Sequence, residues 1–132
     1  MDIKWKYKIE LRNNNVFEKI ENELKEKVPE ELKVFIRDAN AGIPDKDRII
    51  IQGEERVLGA ILSFNEIDED VDMFNDAFQY LEKTDILPFA IDPSGNYFCY
   101  ALKDGKIMFW NHELDDLIKT EYTLNSFLEA LY

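Results

Sequence analysis

The first residues alternate. Ile3, Trp5, Tyr7 and Ile9 are apolar or aromatic, and Asp2, Lys4, Lys6 and Lys8 between them are charged. A period of two predicts a half-buried strand with a lysine face. Asn13, Asn14 and Asn15 break it, and from Val16 the period lengthens: Val16, Phe17, Ile20 and Leu24 recur at helical spacing, with Glu and Lys on the other face. Pro29 sits where a second helix begins, at a position whose missing N–H costs nothing. Glu30 and Glu31 follow near the positive end of its dipole. Leu32, Phe35, Ile36 and Ala39 form the stripe of that helix, and Asn40-Ala41-Gly42 ends it, with Gly42 or Asn40 available for a left-handed cap.

Arg48 to Gly53 and Val57 to Phe64 predict two strands joined through Gly53-Glu54-Glu55. A third helix carries the stripe Phe74, Ala77, Phe78, Leu81. Three more strands follow, Ile86 to Ile91, Tyr97 to Leu102 and Ile107 to Trp110. Pro93-Ser94-Gly95-Asn96 joins the first pair and Lys103-Asp104-Gly105 the second. Asp-Gly between apolar runs predicts a type I′ turn with positive φ at both central residues. Leu124, Phe127, Leu128 and Leu131 make a C-terminal amphipathic helix with Thr123 as its N-cap. No repeat, linker or low-complexity stretch interrupts the series. The expectation is a single domain over residues 1–132 of α+β class, a largely antiparallel sheet with helices packed on it.

Charge sharpens this picture because it is unevenly placed. Residues 1–40 hold nine Lys/Arg and nine Asp/Glu, whereas residues 41–132 hold seven and nineteen, so the whole formal charge of −12 lies in the second part. Such a surface repels phosphate and anionic lipid, which argues against nucleic-acid or membrane partners. It attracts a basic protein and speeds the encounter. The start has no apolar leader and no run approaches the length of a membrane span, so the expected place of action is the cytoplasm. One cysteine permits no internal disulfide. The alternating first strand leaves the choice between a monomer and a weak homodimer open, since Trp5, Tyr7 and Ile9 could pair a partner strand.

Few residues invite chemistry. Ser94 in IDPSGNYFCY lacks the G-x-S-x-G context of a nucleophile elbow and has strands on both sides. Pro93 presets the first corner, Gly95 or Asn96 takes the next, and Asp92 can bond the turn amides, so the segment reads as a hairpin bend. Cys99 lies mid-strand between Phe98 and Tyr100, where a buried thiol is inert. His112 stands with Glu113, Asp115 and Asp116 just after a strand, but no second His or Cys pair exists to complete a zinc site. A strand-end His bonded to a carboxylate is the simpler expectation. Asp68, Asp70 and Asp72 have EF-hand spacing, but Met73 stands where the loop needs Gly and Gln79 where it needs Glu. No cofactor or metal is expected.

Three features in order then give a resemblance: the Pro-led helix ending in Asn40-Ala41-Gly42, the segment LPFAIDPSGNYFCY, and IMFWNHE followed by a terminal helix with Ser126-Phe127-Leu128. The series resembles the SUKH superfamily, with its Smi/Knr-like members, over roughly residues 16–132. Asp92, Gly95, Asn96, Trp110, His112, Glu113, Ser126 and Phe127 match the family pattern. Ala41-Gly42 departs from a frequent pair of glycines, and the lysine-faced first strand has no match. The resemblance implies a non-catalytic α+β fold whose motif residues are scaffold determinants. It also implies, for a bacterial member, an immunity protein that neutralises a cognate polymorphic toxin, often a nuclease. The alternative is a regulatory interaction module of the Smi/Knr-like type without a toxin; a third, enzymatic reading would use His112 and Glu113 in a cleft. The candidate partner-binding acids are Glu66, Asp68, Glu69, Asp70 and Asp72 in one segment, and Glu113, Asp115 and Asp116 in the other. A solvated loop and helix start would account for the same residues without a partner.

Overall fold

The structure, a computed structural model, describes residues 3–13, 15–83 and 85–132. The expectations for Asp2 in the first strand and Asn14 in the break lie outside the described residues. Nine strands and four helices are described, and the class is α+β as the periodicity predicts.

The main sheet is antiparallel throughout, in the order β5 (Ala60–Ile61), β6 (Ile86–Ile91), β7 (Tyr97–Ala101), β8 (Lys106–Asn111), β9 (Asp116–Thr123). Its central strands are apolar at nearly every position because both faces are covered. Leu87, Phe89, Phe98, Tyr100, Ile107 and Phe109 point into the larger core. Ile86, Cys99, Ala101, Met108 and Trp110 point the other way, into a smaller cluster closed by Leu81. Pro88 is tolerated in β6 because the β6–β7 register shifts between Pro88 and Ala90.

The larger core takes the apolar stripes of α1 (Val16–Leu24), α2 (Glu30–Ala39), α3 (Phe74–Leu81) and α4 (Leu124–Ala130). All four helices fall where the spacing puts them. Thr123 caps α4, accepting from the Ser126 amide at 3.1 Å while Ser126 Oγ accepts from the Thr123 amide at 2.9 Å. Phe127 is wholly buried, with Phe89, Phe98 and Tyr122 around its ring at 5.6–6.0 Å.

Several expectations need correction. The first strand is only β1 (Trp5–Lys6), paired with β2 (Ile43–Pro44). At Tyr7 the backbone turns to φ +60°, the pleat ends, and the ring is 78% exposed. Trp5 packs edge-on against Phe35 at 5.6 Å. The end of α2 is left-handed at Ala41 (φ +61°), not at Gly42 or Asn40. Gly42 is required for space instead, since a Cβ there would stand 2.9 Å from the Ala39 carbonyl oxygen and 3.1 Å from Trp5 Cβ.

The turn after β3 (Arg48–Ile51) is Gln52-Gly53, both at positive φ, and β4 runs Glu54–Val57. The segment expected as one strand from Val57 breaks at Leu58-Gly59 and resumes as β5 in the other sheet. In the β7–β8 loop only Gly105 is left-handed, so this is a longer turn than type I′, closed by the Gly105 amide on the Ala101 carbonyl at 2.8 Å. Strand β9, absent from the sequence reading, completes the sheet edge.

Candidate protein-binding surface

Asp92 and Asn96 fix the end of the sheet from which this surface is built. The two oxygens of the buried Asp92 carboxylate accept from the amides of Ser94 (2.9 Å) and Asn96 (2.8 Å) and from Asn96 Nδ2 (2.9 Å). Asn96 Oδ1 in turn accepts from the His112 amide at 3.0 Å, which ties the β6–β7 turn to the loop after β8. Gly95 takes φ +88°, and a Cβ there would meet the His112 ring at 3.8 Å. The expected carboxylate partner for His112 is not found: no side-chain hydrogen bond to it is present among the described residues. Its ring leans instead on Trp110, 6.3 Å between centroids.

The β8–β9 loop is shaped by Asn111, whose Oδ1 accepts from the amides of Glu113 (3.0 Å) and Leu114 (3.3 Å). Asp115 then adopts φ +47° and accepts from Trp110 Nε1 at 3.1 Å. That bond satisfies the donor of a buried indole. Trp110 is stacked on Tyr97 (5.6 Å, 17°) and met edge-on by Tyr80 of α3 (5.4 Å, 73°). Burial, and then the charges of Asp72 and Asp76, push the Tyr97 phenol above its ordinary pKa.

Asp115 is bonded to Trp110, and the charge of Asp72 acts on Tyr97, so both acidic segments bear on one aromatic set. Glu69, Asp70, Glu113 and Asp116 are exposed. Of the eight candidate acids, Asp68 alone is turned inward. Asp68 has a side chain only 6% exposed and accepts from Ser63 Oγ, Asn65 Nδ2 and Arg12. Burial raises its pKa, but those three hydrogen bonds and the Arg12 charge together hold it below the ordinary value. It is a brace for the loop, not an outward charge. Glu66 pairs with Lys19 of α1, which lowers its pKa.

The sequence reading missed Tyr80, Glu82 and Tyr97. Tyr80 carried a signal: it lies off the buried stripe of α3 and is 66% exposed. With Leu81, Glu82, Lys83, Trp110, His112 and Asp115 it borders an open hollow of about 850 Å³. Beside it, a second hollow of about 650 Å³ runs between Glu23 of α1 and Glu82. Cys99 is fully buried, and burial drives its thiol pKa well up. Among the described residues no group of three or more His, Cys, Asp or Glu could hold a metal ion. No helix there is long and apolar enough to cross a membrane.

These features define an α+β protein with an antiparallel sheet buried on both faces and an acidic, aromatic outer surface at one end of it. The chain belongs to the SMI1 / KNR4 family (SUKH-1), whose description matches residues 13–130. The matched range begins after the lysine-faced opening segment, the part with no counterpart in the family pattern. The chain is also 30% identical over 94 residues to the SPbeta prophage-derived uncharacterized protein YokK of Bacillus subtilis (strain 168). That alignment covers 67% of this chain and 47% of the relative, so it spans about half the relative's length.

Proposed function

We propose that this protein is an immunity protein, acting in the cytoplasm, that binds and neutralises a basic protein toxin without catalysis. The observation supporting this reading is the set of exposed acids without ion pairs among the described residues, Glu69, Asp70, Asp72, Glu113 and Asp116, in a chain that also exposes Tyr80 over Trp110. An exposed ring among unmatched acids suits protein recognition: Tyr80 supplies area for a partner to bury, and the charges steer the approach. A nuclease is the toxin class that fits best, because any phosphate-binding groove is basic. Steering of this kind raises association from about 10⁵–10⁶ to roughly 10⁸–10⁹ M⁻¹s⁻¹ at low salt. A complex of ordinary size, about 800 Å² on each partner, then has to provide its lifetime.

The test is capture of the partner from the native cell, followed by co-expression of that partner with the protein. Neutralising Glu69, Asp70, Asp72 and Asp116 together is expected to slow association by about tenfold or more at low salt and to flatten its salt dependence. Asp68 stays intact because it braces the loop. Full protection with unchanged association rates would refute the assignment of this surface.

A further inference from the structure

Resting on that reading of the surface, we propose that the opening segment, residues 9–12, sets the shape in which the acidic loop 65–72 meets a basic partner, with Arg12 and Asn65 as the positioning residues. Over residues 64–72 the backbone is irregular, so side-chain bonds rather than a ladder decide the loop's shape. Its base is closed by the Ser63 amide on the Asp72 carbonyl at 2.9 Å. Its first half is tied to the opening segment. Asn65 uses both ends of its amide: Nδ2 donates to the Glu10 carbonyl at 3.0 Å, and Oδ1 accepts from the Arg12 amide at 2.9 Å. The Arg12 guanidinium donates to the Ile67 carbonyl at 2.7 Å and to the Asp68 carboxylate.

The segment is anchored on its other side as well. Ile9 donates its amide to the Asn40 carbonyl and accepts from Asn40 Nδ2, both at 3.0 Å, and Leu11 packs against the larger core. The buried Asn40 turns its Oδ1 to the Phe64 amide at 2.8 Å, where the loop begins. The end of α2, the opening segment and the loop are thus bonded as one unit. Ile9, Glu10 and Arg12 precede the range 13–130 that matches the family. The matched range supplies the loop's acids, and residues before it supply groups that shape them. A loop ordered before contact loses less freedom on binding, which lengthens the life of the complex.

Arg12→Ala separates shape from charge. It deletes a positive charge beside the loop, which by itself strengthens attraction for a basic partner, so a weaker complex would come from lost shape. Lys19→Ala is the charge-matched control, because its ammonium pairs with the exposed Glu66 carboxylate of the same loop. In the ¹⁵N-labelled full chain, Arg12→Ala is expected to lower backbone order parameters over residues 67–70 from about 0.85 to below about 0.6. The Asp68 carboxyl, held below its ordinary value partly by Arg12, is expected to titrate higher in that variant. Arg12 is 56% exposed, so the urea midpoint should hardly move. Arg12→Lys keeps the charge and is expected to restore part of the order; Lys19→Ala should leave the loop as it is. With the captured partner, Arg12→Ala is expected to dissociate about three- to tenfold faster without slower association, and Lys19→Ala at the unaltered rate. The proposal is overturned if the loop keeps its order in Arg12→Ala, if Lys19→Ala loosens it as much, or if Arg12→Ala leaves dissociation unchanged. The order parameters and the titration need no partner, so their failure is separable from failure of the capture experiment.

Discussion

Asp68 holds the fold while the neighbouring acids face outward, and its replacement has a calculable cost. Asp68→Ala removes the acceptor for Ser63 Oγ, which is wholly buried, and one acceptor for Asn65 Nδ2. Asn65 retains the Glu10 carbonyl at 3.0 Å, so its loss is partial. Arg12 retains the Ile67 carbonyl at 2.7 Å and is 56% exposed, so its lost ion pair contributes little. Stranding one buried hydroxyl donor and half-stranding an amide amounts to about 2–3 kcal/mol. Urea unfolding at neutral pH should show that loss as a lower midpoint with the same slope.

The carboxylate's pKa lies below its ordinary 3.8 in the folded protein, so its contribution is complete above that value and is lost as pH falls through the folded value. Asp68→Asn keeps the shape but cannot titrate. Its deficit relative to the unaltered protein should therefore be present at neutral pH and shrink below pH 3.8. A deficit for Asp68→Ala under about 0.5 kcal/mol, within the range of ordinary surface substitutions, would refute the bracing role. So would a deficit for Asp68→Asn that stays constant into acid.

Two further substitutions test the frame around the surface. Asp92→Ala strands Asn96 Nδ2 and two turn amides, and is expected to cost about 2–4 kcal/mol in urea unfolding while increasing hydrogen exchange at the His112 amide; an unchanged His112 amide would contradict the relay through Asn96. Gly42→Ala drives a methyl against the end of α2 and Trp5, for a loss of about 1–3 kcal/mol by thermal unfolding. Gly53→Ala, at φ +80° with nothing within 4 Å, should cost only the backbone preference, about 1 kcal/mol; equal losses at the two sites would refute the steric account of Gly42.

The helices were legible because each buries one stripe, and stripes survive in sequence whatever lies opposite. Strands β6 to β8 were legible for a related reason, since burial on both faces makes them uninterrupted apolar runs. Strand β9 is an edge strand in which Ile118, Thr120 and Tyr122 alternate with exposed Lys119, Glu121 and Thr123. Its period of two was present, but a face with so many polar groups resembles a loop. At Tyr7 the opposite happened: the alternation runs on, and a single left-handed residue ends the pleat without any mark in the side-chain pattern. The acids of the surface could be named from composition. That Asp72 and Asp115 share one aromatic set could not, because it depends on Tyr97 and Trp110 being cross-strand neighbours.

The direction of the electric field follows from which acids are matched. Glu66 and Asp68, at the root of the acidic loop, are paired with Lys19 and Arg12, both from the first forty residues, where the charges balance. Glu69, Asp70 and Asp72, further along, make no ion pair among the described residues, and neither do Glu113, Asp115 or Asp116. The negative potential is therefore reduced where the loop meets α1 and left standing further along it and in the β8–β9 loop. Salt at physiological strength screens such a field within about 8 Å, so it acts on a partner already close. On the proposed reading, a basic partner is therefore steered in the last stage of encounter, where contact with exposed Tyr80 takes over from charge.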